Sequence, residues 1–236
     1  MIIIVANRWD KTPRSVASDW APCPVAVLTP QDLSVGGWRQ RLSGSDRGTV
    51  VAEGQLVPEA EISSVLTLLP CVFEAELVEI APQDRRYVAA EMTAFLLFWL
   101  SRLNCTVLNR PTPTCLSGPY WRREKWVHAA AQAGISVQPA RRHAVPPGFS
   151  AEEETLLGSA IVTVIGERVI GEVDSTLCGQ ARCLAALAGV ELLSVRFSSP
   201  ERGGRFVSAD TFPDLSDKTV ADAVLEHMQG RQATCA

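Results

Sequence analysis

Apolar positions along the chain fall into short continuous runs and longer three-to-four-spaced stripes, and the two alternate from end to end. Ile2 to Val5 is an unbroken β-branched run with no polar alternation, the pattern of a strand covered on both faces. Thr12-Pro13 marks a helix start, with Thr as the cap and Pro at the first helical position. Pro24 to Thr29 and Thr49 to Ala52 predict two further strands, separated by a loop-rich stretch containing Gly36-Gly37, Gly44 and Gly48. From Asp84 to Arg102, Tyr87, Val88, Met92, Phe95, Leu96, Trp99 and Leu100 recur at helical spacing. Thr106 to Asn109 predicts a strand, and Tyr120 to Ala133 a helix closed by Gly134 at the left-handed cap position. Ile135 to Val137 is a brief extended piece.

Arg141 to Glu154, with Pro146-Pro147-Gly148, is rich in loop formers and marks the candidate domain boundary region. Beyond it, Ile161–Ile165 and Arg168–Ile170 flank Gly166-Glu167 as a hairpin. A helix is expected over Cys178–Ala188, ending at Gly189. Strands are expected over Leu192–Phe197 and Arg205–Ala209, and a last helix over Thr219–Met228 capped by Ser216-Asp217. Strand and helix alternate throughout, so the class is α/β in two lobes.

Composition removes several function classes. The chain has 236 residues, 47% hydrophobic and 20% charged, with a formal net charge of −4. That balance provides no basic face to release phosphate counterions, so nucleic acid is not an expected partner. The most apolar run, Met92 to Leu100, falls well short of the roughly 20 residues that span a bilayer. Met1 to Ala6 lacks the basic lead-in and cleavage site of a signal peptide, so a cytoplasmic location is expected. The seven cysteines (Cys23, Cys71, Cys105, Cys115, Cys178, Cys183 and Cys235) are odd in number and never paired as Cys-x-x-Cys, the pattern of reduced apolar residues. His128, His143 and His227 share no metal-ligand spacing, and no metal site is expected.

Four stretches, in this order, resemble the ATP-grasp ligases, and within them the ribosomal-S6-modification and peptide-macrocycle (graspetide) branch. They are Ile2 to Arg8 with Asp10 and Thr12; Glu91 in its apolar helix followed by Val107-Leu108-Asn109-Arg110-Pro111; Trp126 to Pro139; and Val162 to Val169. Together they cover about two thirds of the chain. The resemblance implies a pre-ATP-grasp-like parallel-sheet domain over 1–118 and a truncated ATP-grasp-like domain over 119–236. It also implies a peptide or protein partner from the same pathway, and a homodimer.

In this branch an acyl phosphate is made from a carboxylate and ATP, and the phosphoryl charge is neutralised by magnesium and cations. The resemblance implies an Asp on one late strand, a Glu-x-Asn on the next, an Arg beside the hairpin, and a lysine-bearing lid. Matched residue by residue, the Asp position is Arg196, the Glu position Ser208, the Asn position Asp210 and the hairpin Arg position Ile161. Only about 20 residues separate Pro139 from Ile161, too few for a multi-stranded lid. The expectation is therefore a non-catalytic relative, with no catalytic residue, no metal and no cofactor, whose former active-site cleft is lined by Ile161, Glu172, Asp174, Arg196, Ser208 and Asp210. Arg196 is expected to pair with Asp210 in place of metal. The alternative is an ATP-grasp-derived, carboxylate-amine-ligase-like enzyme in which Asp210, Arg196, Glu172 and Asp174 supply acid-base or anion-binding groups in a cleft between the lobes. A second candidate surface, for a partner, is the aromatic and cationic run Trp121, Arg122, Arg123, Lys125 and Trp126.

Overall fold

The computed structural model describes residues 1–40, 48–138 and 159–230. They form two compact units, one comprising Met1–Tyr120 with the stretch from Asp214 onward, the other Trp121–Pro213.

In the first unit the chain runs β1 (Ile2–Val5), α1 (Thr12–Asp19), β2 (Val25–Leu28), β3 (Thr49–Ala52), β4 (Gln55–Pro58), β5 (Ser64–Thr67), α2 (Arg85–Arg102) and β6 (Thr106–Leu108). The sheet β2-β1-β5-β6 is wholly parallel. Helices α1 and α2 occur in the connections, as parallel pairing requires. β1 is central, and its four residues are all buried, in keeping with the unbroken apolar run. Ile3, Val5, Leu28, Val65 and Val107 share one core with Leu96, Trp99 and Leu100 of α2.

β5 is absent from the strand pattern legible in the sequence, yet it pairs with β1 on one side and β6 on the other. The second strand of the β3–β4 hairpin is likewise unexpected. Its turn, Glu53-Gly54, has positive φ at both positions (52° and 71°), the backbone of a type I′ hairpin. The buried Asp32 supports that turn: its carboxylate accepts from Gly54 N–H at 2.9 Å and from Thr29 N–H and Oγ1. At α1, Thr12 is the first helical residue rather than the cap, and its N–H donates to Asp10 Oδ1.

The second unit contains α3 (Arg123–Gln132), β7 (Ala160–Ile165), β8 (Arg168–Ile170), α4 (Ser175–Ala188), β9 (Leu192–Phe197) and β10 (Phe206–Asp210). The antiparallel sheet has the order β10-β9-β7-β8. Val162, Val164, Leu193, Val195, Phe197 and Phe206 pack one face onto Trp126, Ala129 and Ala130 of α3 and Leu177, Ala181 and Leu184 of α4. Gly134 and Gly189 terminate the helices at φ of 74° and 66°.

The last helix, α5 (Lys218–Gly230), is capped by Asp217, which accepts from Thr219 N–H at 2.8 Å. It is grouped with the first unit rather than with the 119–236 segment, and Gln229 Nε2 donates to Cys23 Sγ at 2.9 Å. The boundary segment Arg141–Glu154, His143 and most of the span between Pro139 and Ile161, which is expected to be too short for a lid, lie outside the described residues.

Candidate functional site

Four of the expected cleft residues share one sheet face, and strand register is what brings them together. In β7 and β9, Ile161 is the partner of Arg196; in β9 and β10, Arg196 is the partner of Ser208. The three therefore form a row across three adjacent strands. One step along, Thr163 is the partner of Ser194, and Ser194 of Asp210. Side chains two residues apart on a strand emerge on the same face, so the rows Ile161–Arg196–Ser208 and Thr163–Ser194–Asp210 lie side by side. This is the face opposite the one packed on α3 and α4. Ile161 is 47% exposed, Arg196 and Asp210 are exposed and Ser208 is half-buried.

Ser208 reaches this row because of a β-bulge. Phe206 is the partner of Phe197, but the next pair is Ser208 with Arg196, and Val207 is the extra residue. Val207 turns inward, 4% exposed, and its carbonyl accepts from Arg123 Nε at 3.3 Å. Without the bulge, Val207 would occupy the place opposite Arg196.

The polar contacts on this face are specific. Arg196 Nη1 donates to Ser159 Oγ at 3.0 Å, and the Thr163 and Ser194 hydroxyls lie 3.2 Å apart. Asp210 Oδ1 accepts from Phe212 N–H at 2.9 Å. Asp210 is exposed as a residue, but its carboxyl group is partly enclosed, and that desolvation raises its pKa, an effect opposed by the backbone N–H groups of Phe212 and Thr211. The expected Arg196–Asp210 ion pair is not formed: the two stand on adjacent strands in different rows, and each has a neutral partner instead.

The other two cleft candidates stand just beyond the end of β8. Glu172 and Asp174 belong to the turn between β8 and α4. Asp174 caps α4 by accepting from Thr176 N–H at 2.8 Å. Its pKa is held below the usual carboxylate range, first by Thr176 and to a smaller extent by Arg202. A carboxylate used as a helix cap is a structural group.

The aromatic and cationic run divides in the same way. Trp126 is 2% exposed and belongs to the core, and Arg123 holds the bulge carbonyl. Trp121 packs against Trp126 with centroids 4.6 Å apart and rings inclined at 50°, Lys125 Nζ sits 4.2 Å from the Trp121 ring centroid, and Arg122 is exposed. Sequence reading missed Ser159, Thr163 and Ser194. The available signal was period-two alternation, which places them on the same face as Ile161 and Arg196.

Among the described residues no three His, Cys, Asp or Glu side chains are grouped so as to hold a metal ion, and no helix is long and apolar enough to cross a membrane.

This architecture, a parallel-sheet unit and a unit with a four-stranded antiparallel sheet backed by helices, is the ATP-grasp fold in the form found in peptide-modifying macrocyclases and ligases. Similar solved structures include macrocyclase MdnC of Microcystis aeruginosa MRC bound with precursor peptide MdnA, with a TM-score of 0.70 and 10% identity over 97% of this chain and 99% of that one. Another is a Chryseobacterium gregarium RiPP-associated ATP-grasp ligase in complex with ADP and a leader and core peptide (TM-score 0.67, 12% identity, 98% and 96% covered). A third is ATP-grasp ligase PsnB complexed with minimal precursor, Mg and ADP (0.62, 14%, 97% and 98%). At such identities the likeness is one of fold. No protein-family model matches the chain, and no curated protein matches it in sequence.

Proposed function

We propose that this chain is a non-catalytic ATP-grasp-like protein that binds a peptide or a partner protein of a peptide-modification pathway. One observation carries the proposal. The three positions that the resemblance assigns to the hairpin Arg, the metal-binding Asp and the metal-binding Glu are one cross-strand row, and that row now holds an alkyl group, a guanidinium and a hydroxyl. Magnesium requires several hard oxygen ligands in near-octahedral geometry. A cation at roughly 4 Å from another costs about 4 kcal/mol per unit of charge at an effective dielectric of about 20. The donor set of this row does not fit a magnesium–phosphate cluster.

The packed scaffold persists because the residues that bury the sheet and those that line its open face are different sets. Structural neighbours crystallised with precursor peptides support a peptide as ligand. The reading includes a cytoplasmic setting, supported by six free cysteines among the described residues. It also includes a homodimer, supported by the exposed Tyr87 and Phe98 on α2. The enzyme alternative loses support at Asp174, whose carboxylate caps α4.

Calorimetric titration of the full chain with ATP and magnesium tests the proposal. The expected result is no saturable heat; a micromolar Kd overturns it.

A further inference from the structure

The first unit holds two neighbouring thiols, Cys71 and Cys115. After β5 the chain passes through Pro70-Cys71, and after β6 it reaches an antiparallel bridge between Thr112 and Cys115. One backbone hydrogen bond joins the two segments: Leu116 N–H donates to the Pro70 carbonyl at 2.9 Å. Cys71 follows the acceptor, and Cys115 precedes the donor. Residues that adjoin a single such bond have Cα atoms within roughly 7 Å of each other, the outer limit for a disulfide. We propose that Cys71 and Cys115 form a reversible dithiol–disulfide site, with Cys71 as the attacking thiol and a low-molecular-weight disulfide as oxidant. The inference is independent of the binding reading above.

The two thiols differ in access, and that difference sets the order of events. Cys71 is half-buried and lines an open groove of about 540 Å³, whose walls include Phe73, Ala90, Ala94, Leu97 and Pro113. Cys115 is 1% exposed, and Ser117 Oγ lies 3.4 Å from its sulfur. A reagent in the groove meets Cys71 first. The Cys71 thiolate attacks one sulfur of the small disulfide, whose S–S bond breaks as a mixed disulfide forms at Cys71 and one small thiolate leaves. Cys115 then loses its proton to solvent, with the Ser117 hydroxyl placed to donate to the ionising sulfur. Its thiolate attacks Cys71 Sγ and releases the second small thiolate. Two protein thiols are oxidised to one disulfide, and one small disulfide is reduced to two thiols, which take up the two protons.

Burial, and after it the nearby Cys115 and Glu76, push the Cys71 thiol up. Glu74 and Arg86 are the charged groups on the groove itself. The thiolate is therefore scarce at neutral pH, so closure is slow there and quickens as pH rises. Such a pair stays open in a reducing compartment and closes under sustained oxidation.

Oxidised glutathione added to the reduced full chain, followed by alkylation of the remaining thiols and peptide mass spectrometry, tests the proposal. The expected result is a cross-linked pair of peptides joining Cys71 to Cys115, lighter by two hydrogens than the separate thiols and lost on adding dithiothreitol. Its rate of formation should rise about tenfold from pH 7 to pH 8. The oxidised chain should melt a few degrees higher, because the bond closes a long loop of the unfolded chain. In Cys115→Ser the reaction should stop at the first step, with one glutathione held on Cys71. Three outcomes in the wild-type chain would overturn the inference. They are Cys71 and Cys115 both alkylated after the exposed Cys183 has reacted, a lasting glutathione adduct on Cys71, and Cys71 joined to another cysteine. The wild-type peptide map decides even where a variant fails to fold.

Discussion

The two four-stranded sheets of this protein use similar residues to opposite ends. In the parallel sheet, β1 and β5 are buried at every position, so outward and inward residues alike serve packing. Even Ser64 and Thr67 of β5 are enclosed there, their hydroxyls lacking a hydrogen-bond partner in the structure. In the antiparallel sheet one face is covered by α3 and α4; the other is buried at Thr163, Ile165 and Leu192 and opens toward Ile161, Arg196, Ser208 and Asp210, where solvent reaches them. A sheet covered on both faces ties every residue to stability, whereas a half-covered sheet leaves alternate positions open to change. That is how a site can change its charge while its scaffold stays intact.

The comparison breaks if the open face proves as important to stability as the closed core. The largest effect is expected for Trp99→Ala in the first unit. Trp99 is fully buried, meets Trp38 edge-on at 5.7 Å and donates Nε1–H to Glu59 at 3.0 Å, so its removal should cost about 4 kcal/mol in urea unfolding. Gly171→Ala comes next. Its φ is +151°, and an added Cβ would lie 2.7 Å from the Ile161 carbonyl oxygen, so a loss of about 2 kcal/mol is expected by the same measurement. Asp174→Ala should lower stability by less than Gly171→Ala, as the loss of an exposed helix cap does.

Arg196→Gln, on the open face, should stay within about 0.5 kcal/mol of wild type while changing ligand binding. A cost near that of Trp99→Ala would show the face to be structural and remove the contrast between the sheets.

The smallest expected effect concerns pH, and each unit carries one such group. Burial raises the pKa of Glu76 in the first unit, against hydrogen bonds from Arg8 and Phe73 N–H, and that of Asp210 in the second. A carboxyl whose folded pKa lies above its unfolded value binds protons more tightly when folded. Its ionisation therefore costs stability above the folded pKa, and the cost is relieved as pH falls toward the ordinary carboxylate value. Melting temperature should rise slightly on mild acidification from neutrality through this window, and Asp210→Asn should flatten that slope. An unchanged slope in this variant would show that Asp210 does not contribute.

Much of the scaffold was legible in the chain. Ile2–Val5 could only be a doubly covered strand, the α2 stripe specified a helix over 85–102 almost to the residue, and Gly134 and Gly189 marked helix ends because their left-handed backbone suits glycine. β5 was not legible. Ser64-Val65-Leu66-Thr67 is four residues long and half polar, so it lacks both an apolar run and a clean alternation, and only pairing with β1 and β6 makes it a strand.

The candidate site divides along the same line. The chain alone shows which residues stand at the positions that the resemblance matches (Ile161, Arg196, Ser208 and Asp210), because matching positions along the chain requires no coordinates. It could not decide who their neighbours are. That Arg196 faces Ile161 and Ser208, with Ser159 as its partner and Asp210 in another row, follows from strand register and from the Val207 bulge. Register is a long-range property: one inserted residue moves every later side chain to the opposite face, and its position depends on packing between strands distant in sequence.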